Sequence, residues 1–166
     1  LYRIAVMVSG QVAAKTLEGI GFSPDEFDED RTLAWLEEVS RRSASSINAT
    51  TKARITEALG ADDSNEALDA TFDAQKSRAW EVAVSTVTVL SGFASVEAAQ
   101  QVAPQRATKT WVVTSPNPRA SHAAMNGETV PLSENFSNGA AWPGDGANLS
   151  ADDLAGCQCS LVINVD

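Results

Sequence analysis

The sequence predicts an α+β fold, with long helices over about residues 1–103 and a small antiparallel β unit with long loops over about residues 104–166. The first part is rich in Ala, Leu, Glu and Val and contains one proline, Pro24, whereas the second contains the other five prolines and many Gly and Asn. Helix-forming composition thus gives way to that of short strands and loops. The 166 residues, 43% of them hydrophobic, suffice for a real core. We expect the β unit to form one cooperative domain with the last helix.

The first long helix is predicted to follow an acidic loop. Asp28 or Asp30 caps its start, where a negative charge also favours the positive end of the helix dipole. Apolar side chains then recur at helical spacing, and Gly60 provides a stop. A break near Asn48 stays open as an alternative, because Asn and the threonines that follow it are weak helix formers.

A second helix is predicted from a capped start at Asp63 and Ser64 to about Ala103. One stripe at helical spacing is formed by Trp80, Val84, Val87 and Ser91. Further valines lie off this stripe, so we expect the helix to be covered on more than one side. The segment 82–90, VAVSTVTVL, is also compatible with a buried strand, because β-branched residues favour strands.

The β unit is predicted from strand and turn signals. Residues 110–114, TWVVT, have the composition of a strand. The Asn-Gly pair at 126–127 is a strong tight-turn signal, and residues 128–130 form the strand that leaves it. The Ser-x-x-Asp pattern at 150–153 caps one short helical turn. Residues 159–165 form the closing strand.

The charge of the chain argues against general binding to nucleic acid or anionic membranes. The formal net charge is -10 and the pI is about 4.5. The longest clean apolar run near the N-terminus, residues 4–8, is far too short to span a bilayer. Residues 18–38 carry eight acidic side chains against one arginine, whereas residues 98–127 carry no acid. The basic residues of that second stretch are Arg106, Lys109 and Arg119.

Two interpretations of each charged stretch are open. The basic stretch contacts DNA, or it is paired with the acidic block or solvated, which is the interpretation we favour. The acidic block is a solvated face or a docking surface for a basic partner. Both questions depend on which residues the fold brings together.

Three features bear on the cellular context of the chain. It begins at Leu1 rather than Met, so we expect it to be a piece of a longer polypeptide. No convincing signal peptide is present, because Gln11 and Lys15 interrupt a weak apolar stretch. Two cysteines are too few for a disulfide-stapled secreted scaffold, which indicates an intracellular environment.

Few residues can carry chemistry. His122 is the only histidine, and Cys157 and Cys159 are the only cysteines. Their spacing strains a disulfide, since the ring it would close is very tight. Side chains at i and i+2 of an extended strand point to the same side, so both thiols can face one point with His122. Three such ligands suit zinc, with a carboxylate or water as the fourth.

Other interpretations of these residues stay open. The cysteines are small buried hydrophobic groups and the histidine is a hydrogen-bonding core residue, or one thiol is reactive beside a cationic His122. No nucleophile elbow, phosphate-binding loop or zinc-deaminase pattern is present. Arg119, held in the SPNPRASH loop by two prolines, is expected to staple the fold rather than to bind an anion.

The segment KTWVVTSPNPRASHAAMNGETVPLSENF, followed by GCQC, resembles the C-terminal region of phage head-morphogenesis proteins, the Mu F-like minor head family. That family has Lys-x-Trp, Arg-x-x-His, a glycine, an aromatic and Cys-x-Cys, in this order. The matching residues are Lys109, Trp111, Arg119, His122, Gly127, Phe136, Cys157 and Cys159. Residues 75–88 resemble the helix before this region, and residues 27–55 resemble the helical N-terminal part of the family.

The chain departs from the family pattern at two positions. Ser115 stands where the family often has an acidic residue, which weakens a carboxylate fourth ligand from that loop. Gln158 stands where the family often has an arginine between the cysteines, which weakens a phosphate contact at the cysteine strand.

The resemblance implies a virion component rather than an enzyme. Members of the family, sometimes fused to the portal, lie inside the capsid near the portal vertex and act in head morphogenesis and in DNA packaging or ejection. They are assembled in the cytoplasm of the host bacterium. The expected partners are the portal protein and copies of the chain itself, contacted by residues 1–103, with packaged DNA as a further partner and no membrane.

An enzymatic function is the alternative to a structural one. Mu F-like regions also occur beside effector domains, which would make the chain a metal- or thiol-dependent hydrolase or transferase. His122 would then act with Cys157 or Cys159. This alternative requires an open pocket around those three residues.

Overall fold

A computed structural model describes all residues from 1 to 166 and confirms the predicted α+β class. Three long helices come first, namely α1 (Tyr2–Gly19), α2 (Asp30–Leu59) and α3 (Ser64–Val102), with a 3-10 turn at Pro24–Glu26. The β unit follows with β1 (Ala107–Val113), α4 (Ala120–Ala123), β2 (Thr129–Pro131), α5 (Ala151–Leu154) and β3 (Cys159–Val165).

Helix α2 ends before Gly60 as predicted and is not interrupted, but its N-cap residue is Glu29, whose side chain makes no capping hydrogen bond, rather than Asp28 or Asp30. The Asp28 carboxylate accepts a hydrogen bond from the Asp30 backbone N–H at 3.1 Å. The alternative of a break near Asn48 is wrong, since α2 is continuous over 30 residues. Helix α3 lies alongside, and its Arg78 donates a hydrogen bond to the Thr51 hydroxyl at 3.3 Å. Tertiary contacts thus outweigh weak local propensity.

Helix α3 is the longest element and starts at the predicted cap, the Asp63 side chain. The strand alternative for residues 82–90 is wrong, because the whole segment is helical. The Thr86 hydroxyl donates to the Val82 carbonyl oxygen one turn earlier at 2.7 Å. Leu90 is 1% exposed. The β-branched content is tolerated because neighbouring elements cover this part of the helix.

The three helices pack through small side chains. Ala13 of α1 meets Ala98 of α3, and both are 0% exposed. Ala5 of α1 meets Leu36 of α2 and Leu90 of α3 in a cluster that joins all three helices. Alanines at these contacts allow the helix axes to approach closely.

Helices α2 and α3 continue beyond this core as a pair. No residue is buried between positions 41 and 57 of α2 or between positions 64 and 87 of α3. We call residues 41–87 the helical arm. Its most exposed large apolar side chains are Leu59, Phe72 and Trp80, at 61%, 56% and 71%. These three side chains are not covered by any other element of the chain.

Helix α3 is also long and apolar enough, by length and composition, to cross a membrane. An 18-residue window within it has a mean hydropathy of 1.5, and 44% of that window is buried inside the molecule. Core helices that pack against several neighbours have the same composition, because they are apolar on more than one side.

The three strands form an antiparallel sheet in the order β2–β1–β3. Thr110 of the central strand lies opposite Thr129 of β2 and Val162 of β3. The side chains of β1 that are buried on the inner face are Ala107, Lys109 and Trp111. Strand β3 therefore lies at an edge of the sheet, with one side paired and the other open.

The β unit packs on α3 through two glycines. A Cβ on Gly92 of α3 would lie 2.7 Å from Trp142 Cδ1 and 2.9 Å from the Pro143 carbonyl oxygen. Gly144 has a φ of +86°, and a Cβ there would lie 2.9 Å from Val89 Cγ2. The loop can approach the helix this closely only because neither position has a side chain.

Aromatic side chains join the same loop to the helices. Trp35 of α2 stacks on Phe93 of α3 with ring centroids 3.7 Å apart. Trp142 contacts both rings edge-on, with centroid distances of 6.0 and 5.7 Å. The β unit is therefore held against α2 as well as α3, by contacts of the kind that add to simple area burial.

We expect Gly92→Ala to lower the free energy of unfolding by about 1–3 kcal/mol, because the added methyl overlaps Trp142 and Pro143. Gly146→Ala is the matched control, since its Cβ would meet only Leu154 Cδ1 at 3.7 Å. This control is expected to change stability by less than about 0.5 kcal/mol. Urea unfolding measures both variants, and equal stabilities would contradict the close packing of the loop on α3.

Candidate metal centre

The three predicted metal ligands come from two separate segments of the β unit. His122 is the last residue of the SPNPRASH segment and lies in the single turn of α4, after the two prolines of that segment. Cys157 and Cys159 stand at the start of β3, where Gly156, with a φ of +65°, turns the chain into the strand. The Thr88 hydroxyl of α3 donates a 2.6 Å hydrogen bond to the Cys157 carbonyl oxygen and anchors this turn.

The ligand atoms of His122, Cys157 and Cys159 lie within 4.8 Å of one another. His122 Nδ1 is 3.7 Å from Cys157 Sγ and 3.4 Å from Cys159 Sγ. In a tetrahedral zinc site, bonds of about 2.3 Å to sulfur and about 2.0 Å to nitrogen place these atoms roughly 3.5 Å apart. The prediction that both thiols face His122 is confirmed, and a metal ion of zinc's size fits their separation.

The two thiols are free and differ in pKa because they interact with each other. The thiol of Cys159 donates a hydrogen bond to Cys157, which lowers the pKa of Cys157 to about 7 and raises the pKa of Cys159. Burial opposes the first change and adds to the second. The pair therefore releases one proton near neutral pH, which yields the thiolate form that binds metals.

The other side of the His122 ring faces a carboxylate. Its Nε2 is 3.7 Å from Asp153 Oδ1 and is buried without a hydrogen-bond partner. Burial, and then the charge of Arg119, lower the pKa of His122, so the ring is neutral at physiological pH. Nδ1 thus faces the two thiols, and Nε2 faces the Asp153 carboxylate. A carboxylate in this position orients a metal-bound histidine.

Aromatic rings close the cluster against solvent. The Trp111 ring centroid is 6.1 Å from that of His122 and 5.2 Å from that of Phe136, both in edge-on contact. Trp111 and Phe136 share one core with both cysteines. His122, Cys157 and Cys159 are 4%, 2% and 5% exposed, and Cys159 also lines an apolar groove of about 390 Å³ beside α3.

Two more residues of the predicted pattern support the same unit. Gly127 has a φ of +85° in the predicted tight turn, and its N–H donates to the Trp111 carbonyl oxygen at 2.8 Å. The Arg119 guanidinium donates to the Ala155 carbonyl oxygen, two residues before the first cysteine. Arg119 thus staples the SPNPRASH loop to the cysteine turn, as predicted.

The prediction that Lys109 contacts DNA is wrong for the folded chain, because this residue is 1% exposed. Its Nζ donates to the Ala141 carbonyl oxygen at 2.8 Å and lies 5.4 Å from the centre of the Phe136 ring. Burial lowers the pKa of Lys109, and the nearby charge of Asp145 opposes this change. The lysine anchors a loop from inside the β unit, where its stem packs among apolar groups.

The other two basic residues of this stretch are exposed. Arg106 donates to the backbone carbonyl oxygen of Asp166 at 3.0 Å, and Arg119 bonds the cysteine turn as described. Neither contacts the acidic block of residues 18–38. Pairing between the two charged stretches is therefore wrong, and the solvated alternative agrees with the structure.

Sequence reasoning missed several residues that hold the site. The Ser85 hydroxyl of α3 accepts a 2.8 Å hydrogen bond from the Gly156 N–H, beside the Thr88 contact. Asp153 was predicted only as a helix cap, a role it also has. Asp145, 3% exposed, accepts hydrogen bonds from the loop backbone. No local pattern marks the two helix hydroxyls, because their partners lie some 70 residues away.

No family model, curated protein or solved structure matches this chain. The chemistry of the site is therefore inferred from its donor atoms. Two thiols and one imidazole suit zinc better than magnesium or calcium, which prefer oxygen ligands. Closed against solvent, such a centre would join the loop after β1 to the start of β3.

Proposed function

We propose that this chain is a structural minor head protein of a tailed bacteriophage, which lies inside the capsid at the portal vertex. It would act there in head morphogenesis and in DNA packaging or ejection. One observation carries the proposal. Residues that follow the Mu F-like pattern in order, although far apart in the sequence, meet in one buried cluster: Trp111, His122, Phe136, Cys157 and Cys159.

Convergence of the pattern in one buried cluster supports the resemblance together with the order of its residues in the sequence. Several elements of the pattern contact one another directly. Trp111 contacts His122 and Phe136, and His122 contacts both thiols. Sequence order and spatial contact therefore point to the same unit, which is the consistency expected of a shared fold.

Zinc is the metal that we propose for this centre, with His122, Cys157 and Cys159 as protein ligands. The distances of 3.7 and 3.4 Å between nitrogen and sulfur support it, together with the donor set. Asp153 stands behind His122 and would orient the ring. Burial of the whole cluster favours a structural ion, which cross-links the β unit without reaching a substrate.

The helical arm is the surface that we propose for contact with the portal protein. Leu59 and Phe72 are more than half exposed near the far end of the arm, away from the core of α1, α2 and α3. Large apolar side chains in this position lose water contact only when a partner covers them. The metal centre lies in the β unit and would stabilise the fold that carries the arm.

Gel filtration with purified portal protein tests this proposal. We expect the chain to co-elute with the portal, and the exposed-site variant Phe72→Glu, which leaves the core intact, to elute separately. The proposed contact would be contradicted if both the native chain and the Phe72→Glu variant elute separately from the portal. The same experiment with DNA in place of the portal, at two salt concentrations, tests whether the chain is a DNA-binding module. Such a module would co-elute with DNA at low salt and much less at high salt, because its affinity falls steeply with salt.

The gene neighbourhood provides an independent test of the phage assignment. We expect the reading frame that encodes this chain to lie beside, or to continue from, a portal gene. A neighbourhood without head or packaging genes would contradict the assignment. This outcome would leave the metal centre itself untouched, because that inference rests on geometry alone.

A thiol-dependent enzyme is the second candidate, and one observation favours it. The hydrogen bond from Cys159 lowers the pKa of Cys157 to about 7, and a lowered pKa is a property of reactive thiols. If Cys157 is a nucleophile, the native protein should react with iodoacetamide at neutral pH as fast as an exposed thiol. Modification only after unfolding would eliminate this candidate.

A further inference from the structure

Strand β3 has an outer edge that is not paired with another strand, and none of its side chains is charged. Residues 155–165 carry no charged side chain, in a chain whose net charge is -10. The strand also contains neither proline nor lysine, the residues that commonly protect sheet edges. An exposed edge of this kind is a template for a further strand, because its backbone groups still require partners.

The pairing of β1 shows which backbone groups of β3 are free. The Trp111 N–H donates to the Glu128 carbonyl oxygen at 2.9 Å, and the Trp111 carbonyl oxygen accepts from Gly127 at 2.8 Å. Odd-numbered residues of β1 thus bond toward β2, and even-numbered residues such as Thr110, opposite Val162, bond toward β3. On β3 the backbone groups that point to the open edge therefore belong to Cys159, Leu161, Ile163 and Val165.

We propose that β3 pairs antiparallel with β3 of a second copy of this chain, about a twofold axis beside Val162. In this register Leu161 lies opposite Ile163 of the second copy, and their free N–H and C=O groups bond each other. Val162 is the central residue of Cys159–Val165. It would lie opposite Val162 of the second copy in a non-hydrogen-bonded pair. The proposal does not depend on the proposed phage function.

The symmetry of β3 favours a second copy over another partner. Free donors and acceptors are distributed evenly on both sides of Val162, so the strand is complementary to itself. Val162 is 47% exposed, and pairing covers it with an identical apolar side chain. Because the net charge of each copy is -10, a contact confined to this neutral strand is where repulsion is least.

An apolar groove beside β3 also fits this arrangement. It has a volume of about 390 Å³ and lies between α3 and the start of β3, lined by Trp80, Val84, Val87, Cys159 and Ser160. Trp80 and Val87 are 71% and 51% exposed. In the proposed register, Val165 of the second copy lies opposite Cys159. Its side chain, which packs partly buried against the core of its own copy, points to the same inner face and would lie beside the groove.

Disulfide trapping tests the register. In Val162→Cys the two new cysteines stand opposite each other in a non-hydrogen-bonded pair, with Cα atoms about 4.5 Å apart, which suits a disulfide. Ser160→Cys is the matched control on the same strand and face, because its two copies are roughly 14 Å apart along the strands. We expect a covalent dimer for the first variant only. Equal trapping of both variants would overturn the register.

Sedimentation tests the association itself. We expect the native chain to form a dimer and Val162→Lys, which sets like charges opposite each other across the axis, to be a monomer at the same concentration. Circular dichroism checks that the variant is folded. A native chain that stays a monomer when its concentration in the sedimentation experiment is raised about 100-fold would overturn the proposal. A folded Val162→Lys variant that is still a dimer would also overturn it.

Discussion

Cys159→Ser is expected to abolish stoichiometric zinc binding and to lower the free energy of unfolding by about 4 kcal/mol. This magnitude is the binding contribution of a ligand at about 1,000 times its Kd. Removal of one of three protein ligands leaves a site too weak to hold the ion under the same conditions. Elemental analysis of the purified protein measures the metal, and urea unfolding measures the stability.

Ser160→Ala is the control for this prediction. Ser160 is the next residue of β3, points to the opposite, exposed face, and should change neither the metal content nor the stability. A chelator should destabilise the native chain and Ser160→Ala, but not Cys159→Ser. Native protein without stoichiometric zinc would show that packing alone joins Cys159 to His122.

Zinc affinity is also expected to fall as the pH is lowered from about 8 to about 6. The site binds metal through thiolate, and the pKa of Cys157 is lowered to about 7, so acidification through this range restores the proton that competes with zinc. Burial, and then the charge of Arg119, lower the pKa of His122, which reduces proton competition at this ligand. Competition with a coloured zinc chelator measures the affinity, and an affinity independent of pH would contradict thiolate ligation.

Trp111→Ala is expected to lower the free energy of unfolding by about 3–5 kcal/mol, the cost of removing a large aromatic side chain from a packed core. Trp111 is 0% exposed and contacts both His122 and Phe136. The loss is therefore expected to affect the metal centre as well as the sheet. The free energy of unfolding, measured with urea, and the zinc content should both be lower in this variant than in the native protein.

Trp80→Ala is the matched control, since the same side chain is removed from a position that is 71% exposed. A change within about 0.5 kcal/mol is expected. Both substitutions are best compared in the Val162→Lys background, which excludes self-association from the measurement. A destabilisation of Trp80→Ala equal to that of Trp111→Ala would show that the two tryptophans are not distinguished by burial.

Much of the secondary structure was predictable because its signals are local. Asp63 caps α3, Gly60 follows α2, and the Asn-Gly pair at 126–127 turns the chain as predicted. Helix caps and tight turns depend on residues only a few positions apart, so the sequence contains the whole cause. The two alternatives that are wrong, a break near Asn48 and a strand at 82–90, concern stretches where packing of α2 and α3 against their neighbours decides.

The candidate centre was predictable in composition but not in its surroundings. One histidine and two cysteines were the only soft ligands available, and strand periodicity placed both thiols on one side. Asp153 behind the histidine, and Ser85 and Thr88 beneath the cysteine turn, come from elements that contact the site only after folding. Contacts of this kind have no signature at short sequence separation.

The sequence by itself determined the α+β class, helices α2 and α3, the three strands and the three residues that can bind a metal, but not α1 or α4 as separate helices. Periodicity, caps and the small number of His and Cys residues are properties of the chain read along its length. Only the tertiary structure decided that Lys109 is buried, that β3 has an open edge and that Gly92 must lack a side chain. Each of these depends on which distant elements share a face or a boundary, and that is fixed by packing between elements rather than by any one of them.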